Sequence, residues 1–414
     1  MADPPISDPM QSTVPIAMDA ATYAVRLVLI VGHVELYRWL RGRLASQGIR
    51  AGRWIAAAAA VIGVTLVFSS ELMELDFDLL GMDRNPTFWR LLAGFWTAGF
   101  FGAYAMLNSW RLIRRMRQAW QTASRESLQH NSADVVEPTR REALATLAKT
   151  SLAVPFAFSG YGTFIARAAF EVRENEISFR NLPPDLDGLR IAQVTDIHAG
   201  PHLSSKQMRR IVEMANETKP QLAFITGDLV TKLGDPLEGC IDIFSKLKAD
   251  SGIWGCMGNH EHFCESEDYV VDYGRKRGME FMRQTTADLR FGQARLNLVG
   301  VDYQRKSRPY LEAAEQWVDP AAFNLLLSHN PDVFPTAAEL GYDLTVSGHT
   351  HGGQVTIEIV EQHVNAGRFY TPYVAGAYNI DDKSLYVSRG VGTVNLPMRI
   401  GALPEITLLT LRRA

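Results

Sequence analysis

The strongest constraint on this chain is a series of short apolar runs, each stopping at one or more metal-ligating residues. The junctions read V-T-Asp196-I-His198, I-T-G-Asp228, C-M-G-Asn259-His260-Glu261, L-L-S-His329-N and G-His349-T-His351. Runs of four to eight β-branched and leucine residues are the pattern of strands buried on both faces. Ligand-bearing loops at the carboxyl ends of strands are where α/β sheets place their sites. One D-x-H or one G-D carries little information. Five such junctions in order, each behind an apolar run, point to one polynuclear site. In the last of them, T-V-S-G-H-T-H-G-G-Q from Thr345 to Gln354, two histidines one residue apart share a side of an extended segment. The adjoining glycines let the backbone turn sharply there.

Strands are expected at Leu189–Thr195, Leu222–Thr226, Ile253–Met257, Leu296–Val301, Phe323–Ser328, Leu344–Ser347, Ser384–Ser388 and Ile406–Leu411. Between the first two, Met208, Ile211, Val212 and Ala215 fall on one helical face behind a serine suited to cap it. Leu237, Ile241, Phe244 and Leu247 make a second such face. Alternating strands and helices predict an α/β domain over residues 189–414.

The first 170 residues are different. Residues 1–19 hold three acids and no base and read as a disordered lead-in. Residues 20–170 read as a transmembrane region of about four helices: Ala20 to about Leu40, Trp54 to about Leu75, Phe88 to Ile113, and Ala143 to about Phe170. Each has the roughly 20 residues that a hydrocarbon core about 30 Å thick requires. His33 and Glu35 interrupt the first, and pairing between helices is expected for them. Residues 171–188 read as a linker. Arginines cluster between the first and second spans and again after the third, while acids dominate between the second and third. By the positive-inside rule the chain would be a multi-pass protein of the inner (plasma) membrane with its catalytic domain extracytoplasmic. A net charge of −3 gives no sign of nucleic-acid binding. Cys240, Cys256 and Cys264 form no C-x-x-C pair and are expected as buried free thiols.

The ordered set D-x-H, G-D, G-N-H-E, H and G-H-T-H resembles the calcineurin-like metallophosphoesterase superfamily. With apolar segments ahead of it, it looks like the bacterial membrane-anchored branch. The resemblance covers roughly Leu189 to the C-terminus. It implies two facing β-sheets flanked by helices, an α/β/β/α sandwich, here preceded by the all-α transmembrane region. It also implies that Asp196, His198 and His351 hold one ion and Asn259, His329 and His349 another, with Asp228 bridging. Many relatives carry a second acid shortly after G-D, whereas here Gly227-Asp228-Leu229-Val230 is followed by Thr231.

The implied cofactors are two divalent ions. Nitrogen and oxygen ligands without thiolate suit manganese, iron or zinc better than calcium. Such a pair clamps an in-line displacement at phosphorus and supplies hydroxide from water near neutral pH. His260, beside Asn259, is placed to protonate the leaving oxygen or hold the phosphoryl group, with Glu261 or Asp196 orienting it. His202 and Arg389 are weaker candidates for substrate binding, the latter by bidentate contact to phosphate. The expected function is hydrolysis of a phosphodiester or pyrophosphate bond in a phosphorylated small-molecule or lipid substrate at a membrane. The alternatives are a tethered phosphodiesterase for a soluble substrate and a non-catalytic metal-binding membrane sensor.

Overall fold

The structure, a computed structural model, describes residues 20–68, 86–127, 150–305, 310–359 and 362–414. The lead-in 1–19, the end of the second apolar segment and the start of the fourth lie outside these residues. By contact density the chain divides into two units, residues 1–76 with 100–130, and residues 77–99 with 131–414.

The second unit holds two six-stranded sheets. The first has the order β1 (Glu171–Phe179), β14 (Glu405–Arg413), β2 (Arg190–Val194), β3 (Leu222–Thr226), β4 (Ile253–Cys256), β5 (Met279–Phe281). The other runs β12 (Gly376–Ile380), β13 (Lys383–Val387), β9 (Leu344–Ser347), β8 (Phe323–Leu327), β7 (Ala294–Gly300), β6 (Thr285–Phe291). A hairpin, β10 (Thr356–Ile359) and β11 (Gln362–Asn365), stands apart. All eight expected strands are present, within a residue or two at their ends.

Period-two alternation explains why these strands read as unbroken apolar runs. Along β3, Leu222 and Phe224 enter the layer between the sheets, while Ala223 and Ile225 pack on the helical side. Along β8, Phe323, Leu325 and Leu327 enter that layer and Leu326 faces outward. Both faces are buried, so no polar face is needed. Each fully buried leucine or phenylalanine contributes about 1.5–3 kcal/mol relative to exposure. The helix Ser205–Glu217 buries Met208, Ile211, Val212 and Ala215, as its spacing predicts, behind a capping box formed by Ser204 and Gln207. Helices Leu237–Phe244 and Glu267–Arg275 cover the same sheet, and Phe334–Leu340 lies on the other.

Two expectations need correction. Residues 171–179, read as linker, form β1, which pairs in parallel with β14 over its whole length. Ile177 and Phe179 enter the inter-sheet core, while Arg173, Glu174 and Glu176 carry charge along the sheet edge. The fourth apolar segment is not one continuous α-helix. Among the described residues it is α-helical at 150–151, turns at 152–153, is α-helical again over Val154–Gly160, then π over Tyr161–Ile165 and 3₁₀ over Ala166–Ala168. Its Gly162 is pressed against residues 398–400: a Cβ there would lie 2.5 Å from Met398 Cγ, and the Arg399 N–H donates to its carbonyl.

In the first unit, helices Ala20–Ser46 and Gly52–Val67 accompany the later part of Pro86–Ser127. His33 stacks on Phe100 at 3.9 Å, and Glu35 pairs with Arg111 at 2.7 Å, so the interhelical pairing expected for them is present. Among the described residues no helix is long and apolar enough to cross a membrane. The second segment is the most apolar, but its described helix has only 16 residues. The first is 27 residues long but carries Arg26, His33, Glu35 and Arg38. The three cysteines are buried and free, as expected.

Candidate metal centre

Every predicted ligand follows a strand end. β2, β3 and β4 are mutually parallel and deliver Asp196 with His198, Asp228, and Asn259 with His260. β8 and β9 are parallel in the facing sheet and deliver His329, and His349 with His351. The two sheets thus contribute to one rim.

The side chains converge in two overlapping groups. Asp196, His198, Asp228 and His351 present ligand atoms within 4.8 Å of one another, as do Asp228, His329 and His349. Asp228 belongs to both. His198 Nε2 and His351 Nε2 face each other at 3.1 Å, His351 Nε2 lies 3.3 Å from Asp196 Oδ1, and His198 Nε2 lies 3.6 Å from Asp228 Oδ2. His329 Nε2 is 3.0 Å from Asp228 Oδ2 without hydrogen-bond alignment. Asn259 Oδ1 is buried with no partner.

These orphaned and converging lone pairs are the test of whether a cation fits. An Asn259 amide oxygen and a His329 Nε2 buried without partners, beside two carboxylates sharing a buried volume, are unfavourable unless positive charge lies among them. The His198 and His351 nitrogens, which can satisfy each other by one N–H···N bond, are also placed to turn lone pairs to a cation. The donor set matches divalent manganese, iron or zinc. The titration behaviour agrees. Burial lowers His198 to about 3 and His349 to about 4, and takes His351 well below its ordinary value, so these rings are neutral ligands at pH 7. Burial raises Asp196 to about 6 against the opposing pull of His329. Burial would depress His329 as well, but the Asp228 carboxylate outweighs it and holds that ring up at about 10. For Asp228, burial is outweighed by His329 and neighbouring imidazoles, which keep its carboxyl well below the usual range.

Five of these residues are held in left-handed backbone: Asp196, His198, Asp228, His349 and His351 have φ of 52, 47, 56, 75 and 53°. Such conformations cost on the order of 1–3 kcal/mol each and persist where the surroundings over-determine them. Glu261 is one such constraint. Fully buried, its carboxylate accepts from the backbone N–H of Asp228 at 2.8 Å, Leu229 at 2.7 Å and Gly258 at 2.9 Å. It therefore ties the β3 and β4 loops together, and its hydrogen bonds go to backbone rather than to the His260 ring. Asp196 does not orient that ring either; it accepts from the His349 N–H at 3.0 Å.

The group that orients His260 is Thr231, whose carbonyl lies 2.6 Å from His260 Nδ1. Its hydroxyl meets His198 Nδ1 at 3.1 Å, so one residue steadies a ligand and a neighbouring imidazole. The His260 ring stands perpendicular to that of His198 at 4.7 Å. In the sequence Thr231 is visible only as a departure from an acidic position. Arg399 leaves no signal there at all. Wholly buried, it donates to the carbonyls of Gly392, Ala402, Arg389 and His351 and so holds the turn that carries His351. Tyr303 carries no sequence signal either; its ring lies 5.7 Å from that of His349 and 6.3 Å from that of His329.

The two weaker candidates are not gathered at the ligands. Arg389 lies 3.7 Å from Glu171 and 3.8 Å from Glu405, ion pairs that satisfy its charge within the sheet end. His202 accepts a hydrogen bond from Arg167 at its backbone carbonyl and belongs to neither ligand group.

A sequence profile described as calcineurin-like phosphoesterase matches residues 189–353. An uncharacterized metallophosphoesterase of Bacillus subtilis, YkuE, is 27% identical over 61% of this chain and 89% of its own length. Proteins described as transmembrane protein with metallophosphoesterase domain match from Danio rerio, 29% identical over 66% of this chain and 63% of the relative, and from Bos taurus, 28% identical over 76% and 72%.

Proposed function

Since the chain belongs to the calcineurin-like metallophosphoesterase superfamily and is a metal-dependent phosphoesterase, we propose that it is a membrane-associated phosphohydrolase that cleaves a phosphodiester or pyrophosphate bond of an acylated substrate. The observation that carries the chemistry is the convergence of Asp196, His198, Asp228, His329, His349 and His351 from two sheets on one buried rim. In this reading Asp196, His198 and His351 hold one divalent ion, Asn259, His329 and His349 hold the second, and Asp228 serves both. Bound there, the ions supply Lewis-acid polarisation of a phosphoryl oxygen and an activated water.

The protein's own groups do the rest. The Thr231 carbonyl accepts only, so it fixes a proton on His260 Nδ1 and leaves Nε2 as the nitrogen that exchanges protons with substrate. Nε2 must first take up a proton, making the ring an imidazolium, before it passes that proton to the departing oxygen. Glu261 fixes the backbone on either side of Asp228, which keeps the bridging carboxylate in place through turnover. Tyr303 walls the side of the site next to His329 and His349.

The membrane reading is supported by where apolar surface lies. Among the described residues, every exposed large hydrophobic except Leu233, Phe263, Tyr269 and Tyr370 precedes residue 166, with Trp54, Val61 and Trp120 each more than 60% exposed. Surface of that extent calls for a covering phase, and two relatives bear the word transmembrane in their descriptions. The acyl chain is supported by exposed Leu233, on the loop that carries Thr231, and exposed Phe263, on the short helix Asn259–Phe263 that carries His260. The charge pattern around the apolar segments favours an extracytoplasmic catalytic domain in the inner (plasma) membrane.

The test is turnover by the metal-reconstituted protein of an acylated diester or pyrophosphate against its water-soluble head group, at matched concentration in micelles. A higher kcat/KM for the acylated compound is expected, and equal values would leave a tethered enzyme for soluble substrates. Asp228→Asn, run alongside, should lose both metal and activity; two bound ions with normal turnover would end the shared-ligand assignment.

A further inference from the structure

The loop after β7 and the short helix after β4 meet at the rim of the metal centre through side chains outside both ligand groups. The loop carries Tyr303, whose ring lies 5.7 Å from that of His349, and two residues later Arg305. The helix Asn259–Phe263 carries His260 and, two residues later, His262. Arg305 Nη2 donates to His262 Nε2, joining loop to helix. A guanidinium can only donate, so Nε2 accepts and the ring proton sits on Nδ1. His262 Nδ1 donates it to Glu267 Oε1 at 2.9 Å. Carboxylate, imidazole and guanidinium thus form one hydrogen-bonded chain that ends in a positive charge.

The backbone beneath that charge is held as well. The Asn330 amide, next to the ligand His329, donates to the Gln304 carbonyl at 2.7 Å, and the Gln304 amide oxygen accepts from the Leu311 N–H at 2.9 Å. Two arginines meet this loop, and they differ. Arg283 is pinned between Asp302 and Asp268, so its charge is met within the fold. Arg305 is exposed, and it donates to an uncharged ring. The residues that follow it, Lys306, Ser307, Arg308 and Pro309, bring no acid.

We propose that Arg305, aligned by His262 and Glu267, binds a second phosphate group of the substrate, beyond the phosphoryl group at the ions. This rests on the metal-centre reading given above and narrows the substrate class to compounds with two neighbouring phosphate groups. The reacting phosphoryl group meets its charge at the ions. A guanidinium further out along the rim offers its planar donors to a second anionic group. Alignment matters because an unrestrained surface arginine gains little from an ion pair. The chain through His262 orders the side chain before substrate arrives, so less freedom is lost on binding. Arg305 is therefore the residue that touches substrate, and His262 and Glu267 are positioning residues.

The experiment is isothermal titration of the metal-loaded protein with inorganic phosphate and with methylenediphosphonate, whose P–C–P link joins two phosphoryl groups and resists hydrolysis. Wild type, Arg305→Gln, His262→Ala and the double variant are compared, with protein-bound metal measured after each titration. Arg305→Gln should bind methylenediphosphonate about tenfold more weakly than wild type, the size of one charge-assisted hydrogen bond. Its affinity for inorganic phosphate should match that of wild type. His262→Ala should lose a smaller part of the same increment. The double variant should lose no more than Arg305→Gln, because His262 acts through Arg305. Equal methylenediphosphonate affinities in wild type and Arg305→Gln would overturn the proposal, as would a wild type that binds neither ligand. An equal loss for both ligands, or a lower metal content, would also overturn it, since Arg305 would then support the centre rather than touch a second phosphate. Additive losses in the double variant would end the positioning role of His262. A wild type that binds as expected but turns over neither diesters nor pyrophosphates would count against the hydrolase reading alone, because these isotherms do not depend on catalysis.

Discussion

At the scale of single residues, His260 and the metal ligands should separate cleanly. Its ring contacts the Thr231 carbonyl and stands beside His198, but it belongs to neither ligand group. His260→Asn should therefore keep its metal content while kcat falls about 10²–10⁴-fold, the usual contribution of a positioned acid. If metal content fell in parallel with rate, His260 would be a ligand. His329 and Asp196 predict how the ions bind. With no metal, His329 keeps its proton up to about pH 10 and Asp196 up to about pH 6. A cation needs both lone pairs free, so binding displaces protons, and the sign follows: affinity rises with pH and weakens as pH falls. Titrations at pH 6.5 and 8.5 in buffers of different ionisation enthalpy should show proton release and tighter binding at the higher pH. Equal affinity at both would mean that His329 binds no proton in the metal-free site.

At the scale of elements, the ligands work because strands end where backbones can approach closely. Gly258, the second residue after β4 and the one before Asn259, is held against the β3 loop. A Cβ there would overlap Asp228 Oδ1 and lie 2.5 Å from the Asp228 N, which Glu261 and the turn itself hold in place. Gly258→Ala should accordingly lower metal stoichiometry and melting temperature together. Gly42, in the helix Ala20–Ser46, is the control, since a Cβ added there would meet nothing within 4 Å. Gly42→Ala should leave metal binding untouched and hold or raise the melting temperature, because alanine is the better helix former. Equal behaviour of the two variants would show that close approach at the strand end does not set the site.

At the scale of the whole molecule, β1 changes how topology should be probed. A reporter fused near residue 180 would sever β1 from β14, a pairing that runs from Glu171 to Phe179. Fusion after Ala414 avoids this, although its N–H donates to the Phe179 carbonyl and a short spacer is needed. An export-dependent phosphatase attached there should be active, and a fluorescent protein that folds only in the cytoplasm should be dark. The reverse pattern would put the catalytic domain on the inner face.

Seven candidate ligands are legible in sequence because the strands ahead of them are buried on both faces, which leaves an uninterrupted apolar run ending at each junction, and because the ordered residues resemble a known family's set. Their spacing in the chain is local, and so it is legible. The helical face at Met208, Ile211, Val212 and Ala215 is legible for the same reason, since its period lies within 13 residues. What tertiary structure decided is what depends on distant partners. β1 looks like a linker until β14, more than 220 residues later, offers it a parallel edge. Glu261 acts on Asp228 and Leu229 across two loops, and Arg399 reaches the His351 carbonyl from 48 residues away. Arg389 looks available for phosphate because its pairing glutamates, Glu171 and Glu405, lie on β1 and β14. Buried charge is compensated through space rather than along the chain, so a sequence records the charge but not its partner.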